Sequence, residues 1–222
     1  MKHLFLIVLI ALGYNVLSAQ KVYLNVGRNF TTYDYTNSEL NANSNIESSI
    51  GASYEMGYIA NSVLGYKVDV AAGLTLDQYN ASGGNMVYNY SWNTNYLGLQ
   101  GVLKYNILES RRYSPVAINA NAGVNFNHII SGKQKINGQT FDLTAEDLFN
   151  GLFFKHTIGL EVQYYLTNWR NDVAIAIGYN FIKNYGLSRV DSLRFISKET
   201  SGDENLNFNN RQLQFGILIS IR

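Results

Sequence analysis

The chain has 222 residues, 16 acidic and 17 basic side chains and no cysteine, so its formal net charge is +1. This charge balance leaves no electrostatic footprint for nucleic acid, and the absence of cysteine excludes disulfides, thiolate metal sites and a lipid-modified N-terminal cysteine. Glycine (19) and tyrosine (17) are frequent and proline occurs once, a composition typical of an all-β domain. No phosphate-binding glycine loop and no metalloprotease or serine-hydrolase motif occurs. The sequence therefore indicates no cofactor and no metal.

The first segment, residues 1–19, has the layout of a secretory signal peptide. Lys2 supplies a positive start, Leu4–Leu12 is an apolar core too short to span a bilayer, and Ser18–Ala19 offers small residues for cleavage. The alternative is a buried N-terminal helix. We predict cleavage after about Ala19, which leaves residues 20–222 as one mature domain.

Residues 64–78 show the clearest pattern in the chain. Every second position is leucine, tyrosine, valine or alanine, and the positions between them, including Lys67, Asp69 and Asp77, are small, polar or charged. Because successive side chains of a strand point to opposite faces, this segment has one apolar and one polar face. It is also longer than an average strand, which suits a wall between lipid and a wet interior.

The same alternation recurs along the whole mature chain. The predicted strands cover residues 21–33, 49–59, 64–78, 90–107, 115–128, 151–167, 172–184 and 210–222. The connections after the odd-numbered strands are predicted to be long, namely residues 36–48, 80–90, 129–150 and 185–209. The connections after the second, fourth and sixth strands are predicted to be short.

Two local features depart from this regular pattern. Arg28 falls on the apolar face of the first strand, which indicates either a β-bulge or a position in the lipid headgroup zone. Thr144–Asp147 resembles a capping box, which predicts a turn of helix in the connection before the sixth strand.

An even number of strands, a continuous apolar face and alternating long and short connections together indicate one fold. A membrane barrel faces lipid with apolar side chains and carries long extracellular loops opposite short periplasmic turns. A soluble barrel would instead fill its interior with apolar side chains. We therefore predict an all-β, eight-stranded antiparallel up-and-down transmembrane β-barrel in the outer membrane of a Gram-negative bacterium, with both termini periplasmic. Its expected partners are outer-membrane lipid, lipopolysaccharide and the barrel insertion machinery, and a protein partner outside or in the periplasm remains open.

Several short passages follow a pattern seen in one group of membrane barrels. Tyr96-Leu97 and Leu103-Lys104-Tyr105 match that group's fourth strand, with Gly101 near the place where the group often has proline. Residues 117–126 and 159–162 match two of its later strands. In these passages the chain resembles the PorT-like family of Bacteroidota-type outer-membrane β-barrel proteins. The resemblance implies the barrel fold and an outer-membrane location, and it brings no catalytic residues.

The polar faces of the strands place charged side chains inside the predicted barrel. Eight strands leave an interior that their own side chains fill, and unpaired charges in it are costly. We expect acidic and basic members to pair across strands and plug the lumen, with Lys67 and Asp69 as neighbours, rather than to form an ion or proton path. The predicted lumen network comprises Glu55, Lys67, Asp69, Asp77, Lys104, Lys155 and Glu161.

Tyrosine and tryptophan side chains predict aromatic belts at the two membrane surfaces. The predicted belt residues are Tyr54, Tyr58, Tyr66, Trp92, Tyr105, Tyr164, Trp169 and Tyr179. His156 shares the apolar face of its strand, so it is predicted to lie at an interface rather than to bind a ligand.

Three functions compete on this sequence. The favoured one is a non-enzymatic structural or interaction protein that presents extracellular loops on a plugged barrel. The first alternative is an acyl hydrolase acting on lipid or lipopolysaccharide, with His128 and Ser131 near the rim and Asp142 or Glu146 as the acid. The second alternative is a soluble barrel that carries a ligand.

Overall fold

The computed structural model describes residues 20–37, 46–63, 67–84, 89–109, 115–136, 138–142, 144, 153–166, 173–185 and 204–221. These residues form β1 (Gln20–Asn37), β2 (Ile46–Ala60), β3 (Val68–Gly84), β4 (Asn89–Leu108), β5 (Val116–Ile136), β6 (Gln139–Asp142), β7 (Phe153–Leu166), β8 (Val173–Tyr185) and β9 (Glu204–Ile221). The predicted signal peptide lies outside the described residues. Within them, no helix is long and apolar enough to cross a membrane.

Eight of these strands close into an antiparallel barrel. They pair in the order β4-β3-β2-β1-β9-β8-β7-β5, and a further pairing of β4 with β5 completes the ring. The short β6, which the sequence did not predict, pairs with the last residues of β5. The predicted fold, an all-β, eight-stranded antiparallel barrel, is confirmed, because β1–β5 and β7–β9 correspond to the eight predicted strands.

The register of the ring shows how strongly the strands are staggered. A path that starts at Val22 and steps through direct Cα partners returns to β1 at Thr32, ten residues further on. The residues between them are Tyr58, Ala72, Gly101, Val124, His156, Lys183 and Asn209. In a barrel of this size such a stagger tilts the strands and leaves an interior that side chains can fill. Residues at one height on neighbouring strands are therefore offset from direct partners by roughly one residue.

The apolar side chains point out of the barrel. Leu99 is 63% exposed and Ile158 is 68% exposed. Every strand of the ring contributes to the same outer band, which includes Leu24, Val26, Ile50, Met56, Leu74, Leu97, Leu103, Val124, Phe126, Leu160, Val162, Ile175, Ile177, Phe215 and Ile217. The opposite face of each strand carries mainly buried asparagine, glutamine, threonine and charged side chains. This distribution is the reverse of a soluble barrel, in which the apolar side chains fill the inside.

One end of the lumen is apolar, the end at which the chain termini lie. A small cluster there packs residues of β1, β2 and β3 against residues of β8 and β9. We call it the terminal cluster, and it consists of Tyr23, Ile59, Ala71, Ala174, Ala176 and Leu218. Each member is no more than 2% exposed, so the cluster closes this end of the interior.

The Tyr23 ring needs two glycines beside it. Gly57 and Gly73 are direct partners on β2 and β3. A Cβ atom on Gly73 would collide with the Tyr23 hydroxyl and would lie 2.6 Å from the carbonyl oxygen of Met56. These glycines therefore permit a close approach of ring and wall.

The strands continue further than predicted at the end opposite the termini. β3 runs to Gly84 and β5 runs to Ile136. The predicted connections lose residues to strands in all four places, namely 36–48, 80–90, 129–150 and 185–209. The outward side chains there are polar, as at Gln78 and Asn80, so the alternation of hydrophobicity disappears while the hydrogen-bonded ladder continues.

This extension also corrects the prediction about connection lengths. Only residues 85–88 separate β3 from β4, whereas residues 61–67 separate β2 from β3. The prediction of a long connection after the third strand is therefore wrong when residues between strands are counted. At this end the hairpin as a whole is long, because its two strands continue beyond the apolar band.

Arg28 occupies the outer wall without a break in register. β1 pairs continuously with β2 and with β9 around this residue, and the Arg28 side chain is exposed. A β-bulge at Arg28 is therefore the wrong explanation. Bulges occur instead between Ser49 and Ser53 on β2 and at Ile130 on β5, opposite Asn95 and Tyr96 of β4.

Thr144, the first residue of the predicted capping box, takes part in a turn instead. The Thr144 amide and hydroxyl both donate to Asp142 Oδ1, at 2.9 and 2.7 Å. Thr144 therefore belongs to the turn that follows β6. Asp147 and the predicted turn of helix lie outside the described residues.

Candidate functional site

The lumen holds two buried ion pairs that cross the barrel. Lys104 on β4 has its Nζ 2.9 Å from Glu161 Oε2 on β7. Lys155 on β7 has its Nζ 2.5 Å from Asp77 Oδ2 on β3. In both cases the two strands are not neighbours, so the pairs span the interior. Removing one partner of such a pair strands a charge in a poorly solvated space.

The Lys155–Asp77 pair is surrounded by further hydrogen bonds. Asp77 Oδ1 accepts from Ser53 Oγ at 2.8 Å and from Asn29 Nδ2 at 3.4 Å. Lys155 Nζ also donates to Tyr79 Oη at 2.7 Å. Both charged groups thus bind several partners at once, which holds them in one arrangement.

The Lys104–Glu161 pair continues toward the terminal end of the barrel as a chain of hydrogen bonds. Gln163 Nε2 donates to Glu161 Oε1 at 2.6 Å, and Tyr165 Oη donates to Gln163 Oε1 at 2.8 Å. Lys21 Nζ in turn donates to Tyr165 Oη at 2.9 Å. Lys21, the second residue of β1, is thereby joined to the centre of the lumen.

Glu55 is held by amides rather than by a lysine. Gln100 Nε2 donates to its Oε1, and Gln214 Nε2 donates to its Oε2 at 2.9 Å. Gln214 Oε1 accepts from Asn180 Nδ2 at 2.9 Å. No lysine or arginine of the described residues lies within ion-pair distance of Glu55. The expected pairing of acids with bases therefore does not extend to Glu55.

Two predicted members of the network lie in or near the turn between β2 and β3. Asp69 is buried, and its Oδ1 accepts from the backbone amide of Ser62 at 2.8 Å. Ser62 has a φ of 57°, so Asp69 fixes a left-handed turn residue. Lys67 has its Nζ 6.0 Å from the ring centroid of Tyr105, a residue of the outer wall. Lys67 lies in the turn before β3, so strand alternation does not apply to it, and its place beside Asp69 in the lumen stays a prediction.

A cavity of about 30 Å³ lies between these groups. Both ion pairs and Glu55 line it, and the side-chain oxygens of Asn121 and Asn125 border it without a donor from the described residues. This space fits about two water molecules and no larger solute. Among the described residues, no group of three or more histidine, aspartate or glutamate side chains could hold a metal ion.

The sequence reasoning missed the uncharged half of the network. It considered charged residues, whereas uncharged side chains also donate to the carboxylates of Asp77, Glu55 and Glu161. They are Asn29, Ser53, Gln100, Gln214, Asn119 and Gln163. These residues lie at the inward-facing positions of their strands, and this parity could have been used to predict them. The clearest example is β5, whose inward positions include Asn119, Asn121, Asn125 and Asn127.

The residues of the predicted hydrolase lie on the outer wall, and the structure does not bring them together. Ser131 Oγ accepts from Asn95 Nδ2 at 2.9 Å. Within the described part of the chain, no hydrogen bond joins Ser131 to His128. The register shift leaves Ile130 as an extra residue of β5, so His128 and Ser131 both face outward, opposite Leu97 and Asn95. Asp142 is the last residue of β6, and Glu146 lies outside the described residues.

Most of the predicted belt residues with a described position lie on the outer wall. The exposed members are Tyr54, Tyr58, Tyr105, Tyr164 and Tyr179. Trp92 is 4% exposed and faces the lumen, which corrects its assignment to a belt. It shares the inward parity of Thr94 and Tyr96 on β4. Tyr66 and Trp169 lie outside the described residues. His156 is exposed on the outer wall, directly opposite Lys183.

No family model and no curated protein sequence matches the chain. Several solved structures are similar to it in fold. Neisserial surface protein A (NspA) has a TM-score of 0.45 and 13% identity over 89% of this chain and 96% of that chain. Ail, the attachment invasion locus protein of Yersinia pestis, has a TM-score of 0.40 and 10% identity over 89% and 97%. The N-terminal β-barrel domain of Pseudomonas aeruginosa OprF has a TM-score of 0.39 and 12% identity over 90% and 97%.

These likenesses concern the barrel architecture alone, and they bring no function to this chain. The resemblance to the PorT-like family stays a prediction.

Proposed function

We propose that the protein is a small outer-membrane β-barrel with a plugged lumen, which acts as a non-enzymatic structural or interaction protein. The observation that carries this proposal is the outer band of apolar side chains around a polar, hydrogen-bonded interior. In water this band would be an exposed apolar surface far larger than soluble monomers carry. In a bilayer it is what a spanning barrel requires, because the closed ring satisfies every ladder hydrogen bond.

The orientation follows from the two ends of the barrel. Gln20 and Ile221 lie at the same end as the strand ends joined by the short connections 61–67, 109–115 and 167–172. At the other end the hairpins extend beyond the apolar band. Bacterial barrels keep their termini and short turns in the periplasm, so the extended hairpins are the extracellular surface of this proposal. Removal of residues 1–19 as a signal peptide is part of it.

The interior supports a plug rather than a pore. Two crossing ion pairs and the Glu55 amide cluster occupy the middle of the lumen, and the terminal cluster closes one end. The cavity of about 30 Å³ also offers no room for the ligand of a soluble carrier. The function then resides in the surface outside the lumen, through a partner in the medium or the periplasm.

Two measurements test this proposal. Cell fractionation is expected to find the mature chain in the outer membrane, and planar bilayers with the purified barrel are expected to show no large stable channels. Recovery of the chain from the periplasm or medium would contradict the membrane location, and large stable channels would contradict the plug. A peptide tag inserted after residue 193 is expected to bind its antibody on intact cells, and binding only after lysis would reverse the orientation.

A further inference from the structure

The cavity in the middle of the lumen carries one negative charge that its own lysines do not offset. Three carboxylates but only two lysines occur among the described residues that line it; they are Glu55, Asp77, Glu161, Lys104 and Lys155. The lysines form their ion pairs with Asp77 and Glu161. Lys104 also attracts Glu55, but its single charge cannot offset two carboxylates. An uncompensated charge is therefore left in a poorly solvated space, which is costly.

Glu55 is the carboxylate without an ion-pair partner, and its hydrogen bonds favour the ionised form. Gln100 and Gln214 donate from their side-chain amides to its two oxygens. Tyr23 Oη accepts from Gln100 Nε2 at 3.2 Å and donates its own hydrogen to Glu55. A protonated carboxyl group needs an acceptor for its hydrogen, whereas these neighbours present donors. Burial opposes the charge, and a cation in the cavity would offset that cost.

Two asparagine oxygens border the same cavity without a donor. Asn121 on β5 and Asn180 on β8 are at most 8% exposed. Within the described part of the chain, neither Oδ1 accepts a hydrogen bond. Both residues are direct partners of Gly159, one on each side. A Cβ atom on Gly159 would collide with Asn180 Oδ1, so this oxygen lies over the glycine that separates it from Asn121.

Hydrogen bonds that begin at Glu55 fix which atom of Asn180 is left over. A carboxylate only accepts, so Gln214 turns its Nε2 toward Glu55 and its Oε1 away. Asn180 Nδ2 donates to that Oε1 at 2.9 Å and to Gln212 Oε1 at 3.2 Å. The oxygen of the Asn180 carboxamide is then the atom without a partner. Excess negative charge and unused oxygen acceptors thus occur around one enclosed space.

The occupant of this space must supply one positive charge and fit a volume of about 30 Å³. Water can donate to both asparagine oxygens, but it leaves the negative charge in place. A divalent ion would reverse the imbalance to one positive charge. Carboxamide, carboxylate and water oxygens are the ligands that hard cations prefer. A bare alkali-metal ion such as sodium or potassium is no larger than a water molecule, so it meets both conditions.

We propose that the lumen binds one alkali-metal cation, sodium or potassium, with Asn121 Oδ1 and Asn180 Oδ1 as ligands and Glu55 as the compensating charge. The cation completes the plug by offsetting the burial of Glu55. Its protein ligands are carboxamides, which differ from the histidine and thiolate ligands that suit transition metals. The inference goes beyond the proposed function, and it depends on neither the location nor the orientation of the barrel.

The test measures urea unfolding of the mature chain in micelles of an uncharged detergent, after refolding with each cation. Chlorides of sodium, potassium and N-methylglucamine are compared at equal ionic strength, because N-methylglucamine is too large for the cavity. A ligand that binds only the folded state lowers the unfolding equilibrium constant about tenfold for each tenfold rise in its concentration above Kd. We expect this dependence with sodium or potassium and none with N-methylglucamine. Equilibrium dialysis against radioactive sodium, or rubidium in place of potassium, is expected to find one ion per folded chain and none after unfolding.

Two variants locate the ion. Glu55→Gln removes the excess charge, so it is expected to lose both the bound ion and the cation dependence. Glu47→Gln is the matched control, because it removes an exposed carboxylate of the same strand, and it is expected to keep both. Asn121→Leu removes one ligand oxygen and should shift the dependence to higher cation concentrations. This variant keeps the test decisive if Glu55→Gln does not fold.

Three results would overturn the inference. Equal stability in all three salts without a bound ion would mean that water alone fills the cavity. Stability that changes with pH but not with the cation would mean that a proton neutralises Glu55 instead. Cation dependence that survives unchanged in Glu55→Gln or in Asn121→Leu would place the ion outside this cavity.

Discussion

Lys155 and Asp77 meet across the lumen from β7 and β3, with Nζ and Oδ2 2.5 Å apart and neither side chain more than 3% exposed. Both residues also bind other lumen groups, Lys155 at Tyr79 and Asp77 at Ser53. The pair therefore joins two walls that the β-ladder itself does not connect. Removing the pair should lower the stability of the whole barrel.

Lys155→Met is expected to lower the free energy of unfolding by about 3–5 kcal/mol, because it leaves the Asp77 carboxylate buried without its cation. Urea unfolding of the vesicle-inserted barrel, followed by intrinsic fluorescence, measures the change. Lys135→Met is the matched control, since Lys135 is exposed on the outer wall, and it is expected to stay within about 0.5 kcal/mol of the wild type. Adding Asp77→Leu to Lys155→Met should recover part of the loss, and a fully additive double variant would disprove the coupling.

Gly73→Ala is expected to destabilise the barrel by about 1–3 kcal/mol, because the added methyl group collides with Tyr23 and with the Met56 carbonyl. Gly101→Ala is the control, since no atom lies within 4 Å of a Cβ placed there. The same unfolding experiment compares the two. Tyr23→Phe, which removes the hydroxyl, should rescue Gly73→Ala in part, and equal effects of both glycine variants would show that Tyr23 does not occupy this space.

Leu99→Arg distinguishes lipid from water as the surroundings of the outer wall. Leu99 is 63% exposed, so a protein in water would tolerate the change with little loss of stability. In a bilayer the substitution is expected to cost about 2–4 kcal/mol, the cost of arginine near the midplane of a membrane barrel. Lys135→Arg, outside the apolar band, serves as the control. A loss below about 0.5 kcal/mol for Leu99→Arg in vesicles would mean that this face does not meet lipid.

Ser131→Ala is expected to change neither stability nor any background hydrolysis of a fluorogenic acyl ester. Ser131 Oγ accepts its hydrogen bond from Asn95, and it has no hydrogen bond to His128 that would activate it. The assay compares purified wild type, Ser131→Ala and His128→Ala at equal concentration. Loss of an ester-hydrolysing activity in both variants would revive the hydrolase hypothesis.

The alternation of side chains was enough to predict the barrel and the inward direction of most charged residues. Leu97 and Leu99 face outward and Lys104 faces inward, as their positions on the fourth strand indicate. This worked because strand parity is a local property that lipid on one side and a wet lumen on the other make visible. Beyond the apolar band both faces of a strand meet water. The ends of β3 and β5 therefore show no alternation of apolar and polar residues from which they could be predicted.

The partners inside the lumen could not be predicted in the same way. Glu55 binds Gln100 and Gln214, which lie far from it in sequence and come close only when the ring has closed. Which strands face each other depends on the stagger of the ring, and this is a property of the closed barrel. The bulge at Ile130, which turns Ser131 to the same face as His128, is a local register shift that composition does not reveal.

The ten-residue stagger of the ring has a consequence for how this barrel can open. Ten residues of strand span about 33 Å, and at a strand tilt of about 40° this is a rise of about 25 Å, the usual height of the apolar band of a membrane barrel. Each spiral of backbone partners therefore starts at one leaflet and finishes at the other. Separating any two paired strands would expose backbone amide groups to hydrocarbon through the full depth of the membrane. We therefore expect unfolding to be all-or-none, with no partly open form that conducts solutes.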